Sequence, residues 1–159
     1  MRQLLKSNKS LQEDFFGDSQ SMAENPYVAI TNDIQITIWP EFIDSKSSPI
    51  GNLFIWAYHV RIDNKSSETV QLLNRYWRII DENGAVQEIR GDGVIGEQPI
   101  ILPDESYQYS SGVHLRHPSG IMKGTYEMQK ILESGKEKNF EVKIPAFSLD
   151  VPSLKSVIN

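Results

Sequence analysis

The 159-residue chain contains no cysteine. That excludes disulfides, thiolate zinc sites and cysteine nucleophiles together. It also fits a reducing compartment, so the expected location is the cytoplasm. No apolar run approaches the ~20 residues that a membrane-spanning helix needs. Positive charge is in deficit: 16 Lys and Arg against 21 Asp and Glu give a formal net charge of -5. Without a basic stripe, no nucleic-acid partner is expected. A P-loop and a G-x-S-x-G nucleophile elbow are both missing. The paired carboxylates Asp81-Glu82 and Asp104-Glu105 fall in turns, where such residues belong on conformational grounds alone. The expectation is a non-catalytic protein with no cofactor.

What the chain has is alternation. Between Tyr27 and Trp39, the residues Val28, Ile30, Ile34, Ile36 and Ile38 share one parity, and Thr31, Asp33, Gln35 and Thr37 share the other. Period two predicts one strand with one buried face, a bulge or kink at Asn32-Asp33, and a stop at Pro40. Leu53–Asp63 is the next strand, apolar on both faces at its start. Val70–Leu73 and Arg75–Ile80 follow as two strands or one bent strand. Asp81-Glu82-Asn83-Gly84 reads as a hairpin turn, with Val86–Arg90 returning. Tyr107–Tyr109 is extended, Arg116–Gly120 a loop, Thr125–Leu132 a strand, and Phe140–Ile144 a last strand broken by Pro145. Seven or more short strands separated by regular turn signals predict an all-β fold, a fibronectin-III or immunoglobulin-like antiparallel β-sandwich. Residues 1–24 are polar and aperiodic and read as a flexible N-terminal extension, leaving 25–155 as the sandwich domain. Met22, at that boundary, is an alternative start of translation.

One stretch, Arg75 to Gln98, stands out. It ends in Gly91-Asp92-Gly93-Val94-Ile95-Gly96, a match to G-x-G-x-x-G. A dinucleotide fingerprint follows a strand and opens a helix. Here Pro99 comes three residues later and Ile100-Ile101-Leu102 is extended, so no helix can begin. The motif is read instead as a tight, ordered connection between two strands. At least one glycine should take positive φ, and Val94 or Ile95 should tuck into the sandwich end. Asp92 and Glu97 should face solvent or pair with Arg90. A glycine-rich backbone can also form an anion-binding nest without a helix. A phosphate-bearing or nucleotide ligand at this loop is therefore an alternative.

The blocks Leu72-Leu73-Asn74-Arg75-Tyr76-Trp77, Gly91 to Pro99, Tyr109-Ser110-Ser111-Gly112, Pro118 to Met128 and Ile144 to Leu149 resemble the ApaG family. The resemblance covers roughly Asn25 to Leu154. It implies a fibronectin-III-like or immunoglobulin-like sandwich. It also implies a family linked by name to cobalt and magnesium efflux, with no established reaction, whose eukaryotic counterparts serve as interaction modules.

The candidate ligand-binding residues are Arg90, Gly91, Asp92, Gly93, Gly96, Glu97 and Gln98. Arg75, Tyr76 and Arg78 form a candidate interaction surface, since exposed tyrosines beside arginines are interface material. Tyr76 and Trp77 must point to opposite faces of one strand, so one enters the core. No metal is assigned. His114 and His117, three residues apart, come nearest to a ligand pair and would serve if the protein bound a divalent cation directly. The expected partner is a protein or a phosphate-bearing ligand.

Overall fold

The structure, a computed structural model, describes residues 25–152. The expected N-terminal extension at 1–24 lies outside them. The described chain forms nine strands and one short 3-10 turn at Asp44–Lys46. The strands are β1 (Tyr27–Thr31), β2 (Ile34–Phe42), β3 (Phe54–Asn64), β4 (Thr69–Asp81), β5 (Val86–Asp92), β6 (Ile100–Ile101), β7 (Ser106–Leu115), β8 (Ser119–Ile131) and β9 (Glu137–Asp150). They pair antiparallel in two sheets. One has the order β1-β2-β3-β7; the other has the order β5-β4-β8-β9, with β6 alongside β4. This is the expected antiparallel sandwich.

Alternation builds the core. Ile34, Ile36 and Ile38 of β2 and Trp56, Tyr58, Val60 and Ile62 of β3 turn inward. They meet Leu72, Trp77 and Ile79 of β4, Met122, Tyr126 and Met128 of β8, and Val142, Phe147 and Leu149 of β9. Trp77 is the hub, edge-on to Tyr58 at 5.2 Å and to Phe147 at 6.0 Å. Tyr76 points the other way and is half-buried. Such aromatic pairs add to the area term.

Several expected boundaries moved. Tyr27 to Trp39 is a hairpin, not one strand: Asn32 and Asp33 both take positive φ, 49° and 63°, in a two-residue turn. Asn and Asp are the side chains that tolerate this region. Because Thr31 pairs with Ile34, odd residues of β1 share a face with even residues of β2. Val28 and Ile30, expected in the core, therefore lie outside, 49% and 59% exposed. Pro40 does not end β2. It sits beyond the last residue that β1 covers, where a missing N–H costs no ladder bond to that neighbour. Pro145 does not break β9 either. The β8–β9 register shifts by one residue between Met122 and Gly124, and Pro145 falls in the resulting bulge. The predicted loop Arg116–Gly120 is shorter than expected, because β8 already begins at Ser119. At Asp81–Gly84 only Gly84 takes positive φ, 83°.

Candidate binding surface

The glycine loop is anchored by an irregularity in β4. The β4–β8 register shifts between Leu72 and Asn74, which leaves Leu73 as an extra residue. Its carbonyl is freed from the ladder and accepts two bonds from the loop. These come from the Gly93 N–H at 2.7 Å and the Gln98 Nε2 at 2.9 Å. Gln71 Nε2 donates in turn to the Gln98 carbonyl at 3.1 Å. Arg75 supplies the second anchor. Its register partners are Gly91 and the buried Tyr126, so it leaves β4 on the inner side. Its Nη1 donates to the carbonyls of Asp92 and Gly93, both at 2.9 Å. A Cβ on Gly91 would stand 2.7 Å from the Arg75 Nη2, so glycine there makes room for the guanidinium.

The tip is a second two-residue turn. Val94 and Glu97 exchange backbone bonds of 2.8 and 3.0 Å around Ile95 and Gly96, whose φ values are 44° and 78°. Val94 is buried and plugs the sandwich end, while Ile95 is 37% exposed. No helix begins here, as the sequence predicted. Of the six non-glycine residues at positive φ among those described, five are Asn or Asp; the sixth is Ile95. A β-branched side chain in that region is a genuine conformational outlier. Gly93 carries a different constraint. At φ 60°, a Cβ there would lie 2.0 Å from the Glu97 carbonyl oxygen. The amides of Gly93, Val94 and Glu97 are all spent on internal bonds, so they do not form an anion nest.

Beside the loop, the outer face of the second sheet forms an open cleft of about 790 Å³. Two registers build it: Asp92–Asn74–Glu127 and Arg90–Tyr76–Thr125. Of the residues singled out from the sequence, Arg75, Tyr76, Arg90, Gly91 and Asp92 line this cleft together, while Gly96, Glu97 and Gln98 form the loop at its edge. Arg90 does not pair with Asp92 or Glu97. Its guanidinium lies 4.3 Å from the Tyr76 ring centroid, with Glu88 at 3.9 Å. Tyr76 donates its hydroxyl to Glu88 at 3.1 Å. Arg78 sits one pair further along, between Glu88 and Lys123.

Under the loop lies a group of phenols. The hydroxyls of Tyr109 and Tyr126 are hydrogen-bonded to each other, joining the two sheets. Burial pushes the phenols of Tyr58, Tyr109 and Tyr126 up, and the positive charge of Arg75 opposes this in all three. Tyr107 is pushed up to about 12 by burial, with the Glu97 carboxylate adding to the effect.

The histidines fall in two places. His114 and His117 share clefts at the Gly51–Leu53 end of the sandwich. His117 lies 3.8 Å from the carboxylates of both Asp81 and Glu82. Among the described residues, no group of three or more histidines and carboxylates is placed to hold a metal ion. His59 was not singled out from the sequence. On the outer face of the first sheet, its Nε2 bonds Glu41 Oε2 at 2.8 Å and its Nδ1 bonds Ser110 Oγ at 2.6 Å. Glu41 requires the proton on Nε2, so Nδ1 accepts from the serine. The chain of bonds ties β2, β3 and β7 together. Only the strand register brings these residues into contact, so nothing in the local sequence announced it.

Among the described residues, no helix is long and apolar enough to cross a membrane. Comparison with known proteins places the chain in a family. The family model described as DUF525, ApaG domain, matches residues 44–130. A protein from Brucella canis named Protein ApaG is 51% identical over 133 residues, which is 84% of this chain and 99% of that one. A Protein ApaG from Paramagnetospirillum magneticum is 53% identical over the same shares. The crystal structure of the putative ApaA protein from Bordetella pertussis superposes with a TM-score of 0.70 at 38% identity, covering 80% of this chain and 97% of that one. The chain belongs to the ApaG domain family.

Proposed function

We propose that the protein is a non-catalytic interaction module that presents the 91–98 loop and the adjoining cleft to a protein partner. The observation that carries this is Ile95, an apolar, β-branched residue held at positive φ and exposed at the tip of a loop otherwise bonded to itself. Conformational strain of this kind persists only where surrounding structure imposes it, and it concentrates at functional sites. The Leu73 carbonyl, Arg75 and the Val94 plug impose it here. Because the loop is already ordered, little entropy remains to be lost on binding. Tyr76 and Arg90, two residue types enriched at energetic centres of interfaces, flank it. A phosphate-bearing ligand has less to hold it, since three loop amides are already bonded. The link between the family name and cobalt and magnesium efflux then reads as an effect exerted through the partner.

The test compares three baits in a native extract: the wild-type chain, Ile95→Asn and Ile50→Ser. Ile50 is fully exposed far from the loop and serves as control. A partner retained by the Ile50 variant and lost by the Ile95 variant supports the reading. Equal capture by all three removes the loop from the interface.

A further inference from the structure

The four outer strands of the sandwich are not protected alike. β1 and β9 lie against each other: Tyr27 packs on Phe147 at 6.1 Å, and the Lys143 N–H donates to Thr31 Oγ1 at 3.2 Å. β9 also carries Pro145 in a bulge. β5 carries Glu88, Arg90 and Asp92 within seven residues. Charges, prolines and bulges are the usual devices that keep sheet edges from pairing with other chains. β7 has none of them. Over ten residues, SYQYSSGVHL, it holds no Asp, Glu, Lys, Arg or Pro. It pairs with β3 without a register shift, and no backbone bond reaches its other side from any described residue.

We propose that β7 is a self-pairing edge. Two copies of the chain join antiparallel along Ser106–Leu115, running their four-stranded sheets into one of eight strands. The occupant is argued from charge and pattern. In a chain of net charge -5, an uncharged strand is where two copies meet with least repulsion. A twofold axis normal to the sheet keeps inner faces inner, so residues of equal parity must face each other. With the axis through Ser111, Tyr109 meets the partner copy's Val113 and Tyr107 meets its Leu115 on the inner face. Gln108 meets His114 on the outer face. Apolar residues thus pair with apolar and polar with polar. Ser110 and Gly112, beside the axis, leave room for close approach.

Sedimentation equilibrium of the full chain across a concentration series tests this. The wild-type protein should show a monomer–dimer equilibrium. Gln108→Lys with His114→Lys places lysine opposite lysine twice in the dimer while leaving β7 on its own sheet. It should raise the dimer Kd by about tenfold or more. Gln108→Lys with His114→Glu places opposite charges at the same two points and should restore the wild-type Kd. Melting curves that match across the three proteins show that each is folded. A wild-type chain that stays monomeric into the hundreds of micromolar overturns the proposal and leaves the edge for another protein's strand. A dimer unaffected by the double-lysine change also overturns it, since the contact must then lie elsewhere.

Discussion

Two reversals of this chain have the same form. Asn32-Asp33 joins β1 to β2, and Ile95-Gly96 caps the glycine loop; each is a two-residue turn with both central residues at positive φ. At the first, Asn and Asp adopt that conformation readily, and the flanking strands need only close on it. At the second, isoleucine opposes it at a cost of roughly 1–2 kcal/mol. Its geometry is imposed from outside the turn by Arg75, the Leu73 carbonyl and buried Val94. A turn made of compliant residues explains itself by local preference. A turn made against local preference has to be explained by the contacts that hold it and by what it exposes.

Five substitutions test that contrast. The largest effect is expected from Gly93→Ala, which puts a Cβ 2.0 Å from the Glu97 carbonyl oxygen at a φ of 60°. It should cost about 2–4 kcal/mol in denaturant titration. A loss under 1 kcal/mol would mean that the loop can rearrange and is not rigid. Arg75→Ala comes next. Removing a charged donor from two carbonyls should cost about 1–3 kcal/mol. It should also speed amide exchange in residues 91–98 far more than in the β1–β2 hairpin. Uniform acceleration would show that Arg75 supports the core and not the loop.

The reciprocal swap follows. Ile95→Asn, which makes an Asn-Gly turn, should stabilise the protein by about 1 kcal/mol, whereas Asn32→Ile should destabilise it by about 1–2 kcal/mol. Matching signs in the two would end the comparison. The smallest effect concerns pH. Tyr107, beside Glu97, is raised from 10.0 to about 12, so between these values the unfolded chain loses its phenolic proton while the folded chain keeps it. Stability then falls as pH rises through that window, and Tyr107→Phe should make the fall shallower. An unchanged slope would show that Tyr107 is not shielded by the loop.

Much of the sandwich was legible in the residues. Alternation in Leu53–Asp63 and Phe140–Ile144 located two of the strands, because side-chain direction has period two whatever the strand pairs with. The same rule misplaced Val28 and Ile30, because a two-residue turn reverses the parity that a continuous strand would keep. The glycine loop was located and its non-helical character foreseen from Pro99. Why each glycine is there was not: Gly91 answers to a side chain sixteen residues earlier, Arg75. The tie between His59 and Ser110 spans 51 residues of sequence and left no local trace.

The order of amino acids by itself determined the fold class, the alternation within each strand and the exclusion of disulfide and thiolate chemistry. Each of these depends on composition or on nearest neighbours along the chain. Tertiary structure alone decided that Leu73 bulges out of β4, that Arg75 turns inward to hold the loop, and that Ile95 is driven into a conformation its side chain disfavours. Those outcomes depend on strand register, and register is a property of pairs of strands that no single segment contains.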